Sequence, residues 1–336
     1  MTHLEAMADM DVAVRRSRPF ARFVLFLCVL LTAGFFLLVV ASYYGHFWTP
    51  LDAFSHLRVH LVGGMLGFGL ASLSMATLQR VRIAFAIVFF SAIATVLYAG
   101  LWPSISQGRQ IDLPLGQYEK ELKLVSYNVW ASNPTPEKIV EYLMSEDADV
   151  VVLVEFTREY RKLLDVVQQK YPYQHDCNSE EFCHIAILSR VPFEAIGSRA
   201  SWAGPRMAWA RFGKELGGLT VFGVHFLKPF TPFVQYRQMR AMASETFTAK
   251  GPFLVAGDFN ATTNSFLINA FQEFSGVLRI TTLPTWPTWF FELPQLGIDH
   301  IFISNGIRPL AYPERGPNAG SDHLPVRVKL AIKDVP

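Results

Sequence analysis

Short apolar segments in the C-terminal two thirds of the chain repeatedly end in a polar side chain. Strand-like runs usually carry apolar residues inward and are bounded by turn residues. Six such segments read, in chain order, LVSYNVW, VVVLVEF, VFGVHF, FLVAGDFN, IDHIF and SDHLP. The polar residues in or at the ends of these segments are Asn128, Glu155, His225, Asp258, Asn260, Asp299, Asp322 and His323. If these ends meet in space, the pattern predicts one polar site.

The same pattern predicts strands interspersed with a few helices. The continuous apolar run at 150–156 is typical of a strand covered on both faces. Helical spacing appears at 136–146, 158–170 and 236–248. Further strands are predicted at 122–129, 184–190, 208–212, 219–226, 253–259, 298–304 and 325–332. Periodicity alone indicates an α/β or α+β domain, large enough for one two-layer or sandwich core.

Three long uncharged segments precede this domain. They are Phe23–Tyr43, Val59–Leu78 and Ile83–Trp102, and at about 1.5 Å per residue each is long enough to cross a hydrocarbon core of roughly 30 Å. We therefore predict three transmembrane helices. The predicted organisation is a cytoplasmic segment 1–22, a membrane domain 23–102, a linker 103–118 and a catalytic domain 119–336.

Basic residues predict the orientation of these helices. Four arginines lie within 15–22 and two more within 80–82, on the same side of a three-span arrangement. Because basic flanks are retained in the cytoplasm, the third span exits outward. The chain is then an integral protein of the bacterial inner membrane, with its catalytic domain in the periplasm. A cleaved signal peptide is the competing interpretation of the first segment, but it lacks a small-residue cleavage site.

The charge composition bears on which partner the C-terminal domain could bind. The chain has 336 residues, 51% hydrophobic, with a mean hydropathy of +0.24 and a net charge of +2. Residues 1–104 hold seven Lys and Arg and four Asp and Glu, which leaves 23 basic and 24 acidic residues of the chain's 30 and 28. A domain without a basic excess disfavours long nucleic acid as the partner.

Two of the three cysteines, Cys177 and Cys183, enclose five residues of a polar loop. In an oxidising compartment the simplest prediction is a disulfide between them. His175 and His184 flank the pair and leave a small zinc site as the alternative.

The polar strand ends suit metal-assisted attack on a phosphate ester. Such a reaction needs a divalent cation, an oriented water and protonation of the leaving oxygen. Mg²⁺ prefers oxygen ligands such as those of Asn128, Glu155 and Asp322. Asp258 and Asn260 are spaced to face one water or phosphate, although Asp258 taken alone is more typical of a turn residue. His225 and His323 titrate near neutrality, and an Asp such as Asp299 can hold an imidazole in one tautomer.

Taken together, these segments resemble the endonuclease/exonuclease/phosphatase superfamily, which includes deoxyribonuclease-I-like nucleases and neutral sphingomyelinases. The segments appear in family order between about 119 and 332, and GDFN and SDHLP are the specific ones. The resemblance implies a four-layer sandwich, with two facing β-sheets and outer helices. It also implies dependence on a divalent metal, Mg²⁺ or alternatively Mn²⁺ or Ca²⁺. The three predicted spans would make the chain a membrane-anchored, bacterial-type member.

The resemblance also implies roles for the polar residues. Glu155 looks like the main metal ligand, with Asn128 and Asp322 nearby. The pair Asp258 and Asn260 looks like the group that orients nucleophile and phosphate. The remaining catalytic residues are His323 supported by Asp299, and His225 as the second histidine. One departure is Val154, at a position where many members carry Gln before the Glu.

The substrate stays open at this level. An aromatic stretch before IDHIF supplies Trp286 and Trp289, followed by Phe290 and Phe291, as candidates for substrate or lipid contact. The predicted function is a membrane-anchored, metal-dependent phosphodiesterase or phosphohydrolase that acts on a lipid or nucleotide phosphate ester. The alternatives are an extracytoplasmic nuclease, a lipid hydrolase of the sphingomyelinase or phospholipase C type, and a catalytically silent receptor or scaffold.

Overall fold

The structure is a computed structural model, and it describes residues 3–75, 85–86, 89–90, 93–94, 114–179, 181–202, 204–289 and 291–333. The chain divides into two compact units, Met1–Gln107 and Gly108–Pro336. Each unit is described by itself.

The N-terminal unit begins with one long apolar helix. Helix α1 spans His3–Ala41 and contains Pro19. Its segment Pro19–Ala41 has 23 residues and a mean hydropathy of 3.0, enough to cross a membrane by length and composition. The first predicted span is thus a helix of the right kind, ending two residues before the predicted Tyr43. A helix with these properties near an N-terminus is also typical of a signal sequence.

The second predicted span, Val59–Leu78, lies on one continuous helix as far as Met75, and 76–78 lie outside the described residues. A bend precedes it. A 3₁₀ turn at Thr49–Asp52 and the short helix α2, Ala53–His56, precede helix α3, Arg58–Met75. The two parts meet at 67° and reach the length and hydropathy of a span only together. The third predicted span, Ile83–Trp102, lies mostly outside the described residues, as do Arg80 and Arg82. Within the described residues there is one candidate span, or two if the bent pair is one, and not the three that we predicted.

The C-terminal unit contains two mixed β-sheets. The strands are β1 Glu119–Asn128, β2 Val150–Val154, β3 Tyr173–Asp176, β4 Ile185–Ser189, β5 Phe193–Ala200, β6 Arg206–Phe212, β7 Thr220–His225, β8 Phe253–Asp258, β9 Leu278–Arg279, β10 Asp299–Ile303, β11 Ile307–Pro309, β12 Glu314–Arg315 and β13 Val326–Lys333. The first sheet has the order β11-β13-β1-β2-β4-β3, with β12 beside β13. The second has the order β5-β6-β7-β8-β10-β9. Two neighbouring pairs are parallel, β1 with β2 and β7 with β8, and the others are antiparallel.

In the described part of this unit, four helices cover the outer faces. A 3₁₀ turn at Lys214–Leu216 places Leu216 in the apolar cluster between the sheets. The four helices are α4 Glu137–Ser145, α5 Arg161–Val167, α6 Pro232–Thr246 and α7 Phe266–Ser275, with a 3₁₀ turn at Arg158–Tyr160 leading into α5.

Three apolar clusters show how the layers pack. The central cluster joins inward residues of both sheets, such as Val152 of β2 and Val221 of β7. A second lies between the first sheet and α4 and α5, and a third lies between the second sheet and α6 and α7. The predicted sandwich of two facing sheets with outer helices is therefore confirmed for this unit.

The run VVVLV of β2 explains why a strand can be apolar throughout. Val150, Val152 and Val154 belong to the central cluster between the sheets. Val151 and Leu153 belong to the outer cluster under the helices. Because alternate side chains point to opposite faces, a strand covered on both faces carries no polar position.

Several elements were missed by the sequence analysis. The edge strand β5 is largely half-buried or exposed and has no clear apolar alternation. Helix α7 does carry boundary signals: the Ser265 hydroxyl accepts the backbone N–H of Leu267, and Gly276 follows in a left-handed conformation. The strand β3 is short and polar, as YQHD. Weak patterns of this kind become strands only through their neighbours.

The predicted disulfide is present. Cys177 and Cys183 are bonded and buried, so the zinc alternative is wrong because both thiolates are used. Nε2 of His175 donates to the carbonyl oxygen of Gly197 at 2.9 Å. The remaining cysteine, Cys28, is free.

Replacing both bonded cysteines by serine should lower the free energy of unfolding by about 2 kcal/mol, because a short cross-link is lost from the unfolded chain. Thermal denaturation of the full-length protein in detergent would measure this. Adding a reductant should destabilise the native protein and leave the double variant unaffected. Three reactive thiols in the denatured, non-reduced protein would contradict the prediction.

Candidate active site

The strand ends of both sheets meet at one edge of the sandwich. In the parallel pair of the first sheet, Asn128 at the end of β1 lies beside Val154, the residue before Glu155. In the second sheet, His225 and Asp258 are paired across β7 and β8. The antiparallel strand β10 begins at Asp299, which is paired with Asp258. The topology therefore brings together residues that are far apart in the sequence.

Two of the site residues have an unusual backbone conformation just after their strands end. Glu155 has a φ of 57° and Asn260 a φ of 47°. A left-handed conformation is uncommon in residues other than glycine, and its cost of about 1–3 kcal/mol is typically met at functional sites. It turns the Glu155 side chain out of the strand's alternation. As a result, the carboxylate lies beside Asn128 instead of inside the core.

Asp258 is the centre of the site and is buried. Its Oδ2 accepts from Nδ2 of Asn128 at 3.0 Å and from Nδ2 of Asn260 at 3.3 Å. Its Oδ1 accepts the backbone N–H of Asn260 at 2.7 Å, so the turn anticipated at this position exists as well. The Nε2 atoms of His225 and His323 each lie 3.9 Å from Asp258 Oδ2. One carboxylate oxygen is thus shared by two amides and faced by two imidazoles.

Glu155 completes this group from the first sheet. Its Oε1 accepts from Nδ2 of Asn128 at 3.2 Å and lies 3.7 Å from Nε2 of His225. Its Oε2 accepts the backbone N–H of Ala131 at 2.8 Å. Asn128 therefore links the two carboxylates with its amide nitrogen, while its Oδ1 accepts the backbone N–H of Trp130.

Asp299 and His323 form a buried pair. Nδ1 of His323 lies 2.7 Å from Oδ2 of Asp299, which also accepts the Thr285 hydroxyl at 2.6 Å. Because a carboxylate accepts hydrogen bonds, Nδ1 carries a proton and Nε2 is left to face Asp258. Burial alone would lower the pKa of His323, but the charge and hydrogen bond of Asp299 raise it to about 9.

The other pKa values respond to burial and crowding. Burial, together with the charge of Asp299, raises the pKa of Asp258. Burial lowers the pKa of His225, although Glu155 opposes the change. For Glu155, burial acts to raise the pKa, but His225 and the hydrogen bonds from Ala131 and Asn128 lower it overall. A divalent cation would favour the ionised form of both carboxylates.

The donor set fits a hard divalent cation. Ligand atoms of Glu155, His225 and Asp258 all lie within 4.8 Å of one another, and so do those of Asp258, Asp299 and His323. Carboxylate oxygens are the ligands that Mg²⁺ prefers. Two carboxylates held about a shared amide would repel each other without a positive charge, which a bound cation supplies. The residues present therefore fit the metal that the sequence predicted.

Asp322, predicted as a third metal ligand, is held elsewhere. Its Oδ2 accepts the indole N–H of Trp286 at 3.0 Å, and its buried Oδ1 has no hydrogen-bond partner among the described residues. Asp258, which the family resemblance assigned with Asn260 to orienting nucleophile and phosphate, is also a member of both candidate cation groups.

The two tryptophans proposed for substrate contact differ in their surroundings. Trp286 is half-buried, and its ring centroid lies 6.4 Å from that of His323. Trp289 is 72% exposed. Phe290 lies outside the described residues.

Two supporting residues were missed by the sequence analysis. Thr285 donates to Asp299, and Ser321 donates to the carbonyl of Asn128 at 2.7 Å. A hydroxyl in a loop carries no sequence pattern of its own. Ser321 could have been found as the first residue of the SDHLP segment. Thr285 could have been found only from its place in the proline-rich segment before IDHIF.

Comparisons with known proteins agree with this geometry. The sequence profile described as the Endonuclease/Exonuclease/phosphatase family matches residues 125–323, more than half of the chain. The chain belongs to this family. Members of the family are metal-dependent phosphoesterases, so the present domain has a phosphoester hydrolase fold. No curated protein sequence gives a significant match.

Solved structures show the same fold. An endonuclease/exonuclease/phosphatase from Bacteroides vulgatus is 15% identical, with a TM-score of 0.53, over 63% of this chain and 99% of that chain. Sphingomyelinase C from Streptomyces griseocarneus is 16% identical, with a TM-score of 0.50, over 62% of this chain and 99% of that one. The protein SmcL is 16% identical, with a TM-score of 0.52, over 64% and 99%. At this level of identity the similarity concerns the fold alone.

The main chain just before Asp258 depends on a glycine. Gly257 has a φ of 147°, and a Cβ at this position would collide with the carbonyl oxygen of Val224 in β7. Gly257→Ala should lower the free energy of unfolding by about 3 kcal/mol or more, because two hydrogen-bonded strands must separate.

Gly218→Ala is the matched control, since Gly218 is also left-handed but has open space around its Cβ position. It should cost only about 1 kcal/mol. Thermal denaturation of both variants would measure the difference, and equal destabilisation would contradict a close approach at Gly257.

Proposed function

We propose that the chain is a divalent-metal-dependent phosphodiesterase or phosphohydrolase that directs water onto a phosphate ester. The observation that carries the proposal is the convergence on Asp258, whose Oδ2 is within 3.3 Å of two amide nitrogens and 3.9 Å of two imidazole nitrogens. A purely structural role would not require two imidazoles, that of His323 buried and that of His225 half-buried, to face one buried carboxylate. This arrangement supports an enzyme over a silent scaffold.

The chemistry can be divided among the residues. Glu155, with Asn128 beside it, would hold the cation, which neutralises charge on the phosphoryl oxygens when bound. Asp258, held by Asn260, is placed to orient a water and accept its proton. His323, charged because of Asp299, is placed to donate to a phosphoryl oxygen, and His225 is the second imidazole at the same carboxylate. Asp322 lies at the border of the site, where it accepts the indole N–H of Trp286.

We also propose that the protein is anchored in the bacterial inner membrane, with residues 103–118 linking it to a periplasmic catalytic domain. The apolar segment Pro19–Ala41, the arginines before it and the disulfide in the C-terminal unit support this arrangement. Fusing an alkaline phosphatase or a green fluorescent protein to the C-terminus tests it. An active phosphatase is expected; fluorescence from the second fusion would overturn the orientation.

The activity is tested with full-length protein in detergent. The substrates are bis(p-nitrophenyl) phosphate, phosphatidylcholine, sphingomyelin, inositol phosphates and DNA, each with and without a chelator. We expect turnover of at least one substrate, its loss with chelator and its return with Mg²⁺, Mn²⁺ or Ca²⁺. Turnover confined to DNA would select the nuclease alternative. Absence of metal-dependent turnover on every substrate would overturn the proposal.

Glu155→Gln should raise the Mg²⁺ concentration for half-maximal activity by about 10- to 100-fold, because one charged oxygen ligand becomes neutral. A titration of activity against Mg²⁺ would measure the shift. Glu141→Gln, on the exposed face of α4, is the control and should match the native protein. An unchanged metal requirement in Glu155→Gln would exclude Glu155 as a ligand.

A further inference from the structure

A cavity of about 380 Å³ lies next to the catalytic residues. Its walls include the aromatic residues Trp130, Trp289 and Phe291 and the carboxylates of Glu292 and Asp322. Trp289 and Phe291 are 72% and 82% exposed, so two aromatic rings face solvent at its rim. Single exposed aromatic residues are common, but adjacent ones that line one concave surface are typical of a ligand-binding groove.

Hydrogen bonds connect this cavity to the catalytic residues. The backbone N–H of Trp130 donates to Oδ1 of Asn128 at 2.9 Å. Ser321, also in the cavity wall, donates to the carbonyl of Asn128. Asp322 directly precedes His323 in the sequence. A substrate with its phosphate at Asp258 can therefore extend one of its substituents into the cavity.

The lining selects a positive charge. Aromatic faces carry negative electrostatic potential and attract organic cations, above all quaternary ammonium groups. Two carboxylates add to this potential, and no Lys, Arg or His is among the described residues of the wall. An anionic substituent would be repelled, and a neutral one would gain only apolar contact.

The wall is also held in place by its backbone. Trp130, Phe291 and Glu292 have φ values of 60°, 52° and 53°. Left-handed conformations at bulky residues are costly and persist where the surroundings enforce them, as in ligand clamps. Oε1 of Glu292 accepts from Nδ2 of Asn318 at 3.2 Å, which fixes the carboxylate at the rim.

We propose that this cavity binds the cationic substituent of the substrate, so that the enzyme prefers phosphate esters of quaternary amino alcohols such as choline. The inference rests on the proposed function. Hydrolysis would place the oxygen of water on phosphorus, break the bond between phosphorus and the leaving alcohol's oxygen, and return a proton to that alcohol. Trp289 and Glu292 are then specificity-determining residues, and the ammonium group stays outside the reacting bond.

Two chromogenic esters test this with the full-length protein. One is p-nitrophenyl phosphorylcholine, and the other is p-nitrophenyl 3,3-dimethylbutyl phosphate, in which carbon replaces the charged nitrogen. Because the two have the same shape, the ratio of their kcat/KM values reports charge recognition. We expect a ratio of about 10 in the native protein, within the range of cation–π and carboxylate contributions. Trp289→Ala and Glu292→Gln should each lower it about threefold.

Phe247→Ala, 74% exposed at the end of α6, is the matched control and should leave the ratio unchanged. A ratio near 1 in the native protein, or a ratio insensitive to both variants, would overturn the inference while leaving the hydrolase proposal intact. Better hydrolysis of nucleotide esters than of choline esters would also count against it, since base stacking would then explain the aromatic wall.

Calorimetry with tetramethylammonium chloride separates the two proposals. Binding that is weakened by Trp289→Ala and Glu292→Gln supports the cavity even if neither ester is hydrolysed, in which case the hydrolase proposal fails alone. Sphingomyelin or phosphatidylcholine vesicles and soluble glycerophosphocholine distinguish the source of the choline group. Either source fulfils the inference, and hydrolysis of neither, in an enzyme that cleaves other phosphodiesters, would contradict it.

Discussion

Asp258→Asn is expected to lower kcat by about a thousandfold on any phosphate ester that the protein hydrolyses. The substitution keeps the size of the side chain, and its carbonyl oxygen can still accept the backbone N–H of Asn260. Its new NH2 group cannot accept from Nδ2 of Asn128 or Asn260. It removes the negative charge that faces His225 and His323 and that would accept a proton from water. Steady-state kinetics at saturating Mg²⁺ would measure the loss.

Stability distinguishes this loss from misfolding. Burial and the nearby Asp299 raise the pKa of Asp258, which means that its charge is costly in the metal-free protein. Relief of this cost offsets the hydrogen bonds lost from Asn128 and Asn260, so the variant should melt close to the native temperature when a chelator is present. Asp165→Asn, exposed on α5, is the control and should change neither property. Native activity in Asp258→Asn would remove Asp258 from the mechanism.

His323→Ala is the second substitution with a large expected effect, a loss of about 10²- to 10⁴-fold in kcat/KM. The imidazole is buried, bonded to Asp299 and aimed at Asp258 by its remaining nitrogen. Alanine removes the proton donor and leaves Asp299 with an unpaired buried charge. The kinetics of the soluble chromogenic ester would measure the loss, and a loss smaller than tenfold would exclude a catalytic role.

The pH profile of Asp299→Asn tests the partnership of the pair. The Asp299 charge raises the pKa of His323 to about 9, so the imidazolium persists through neutral pH and is lost as the pH rises through that value. Without the charge, the pKa of His323 falls and the alkaline limb of kcat/KM moves to lower pH. Asp165→Asn should keep the native profile. An alkaline limb that stays in place would show that it belongs to another group.

Much of the sandwich could be predicted because burial on two faces leaves a strong local pattern. The run VVVLV of β2 is apolar at every position, as a strand between core and helices must be. The edge strand β5 could not be predicted in this way, since an edge exposed to solvent tolerates polar residues at most positions. In the N-terminal unit, counting apolar residues did not reveal the helical part Thr49–His56, which meets helix α3 at 67° just before the second predicted span.

The candidate site was predictable in its membership but less so in its arrangement. Asn128 and Asp258 end strands that the sequence predicts, and Glu155 directly follows one. The family resemblance assigned all three to one site. The sequence does not show that Glu155 and Asp258 share the amide of Asn128, or that Asp322 accepts from Trp286. Both contacts depend on the register of the two sheets. Register is set by contacts between residues distant in the sequence, so no local pattern encodes it.

The sequence by itself determined which parts this protein has: an apolar N-terminal segment, a two-sheet domain, and carboxylates, amides and imidazoles at its strand ends. The tertiary structure decided how these side chains are arranged in space. It placed Asp258 between two amides and two imidazoles, and it set Trp130, Trp289 and Glu292 around one cavity beside them. The reason is physical: residue type follows from local burial, whereas electrostatic partnership depends on distances that only the packed sheets define.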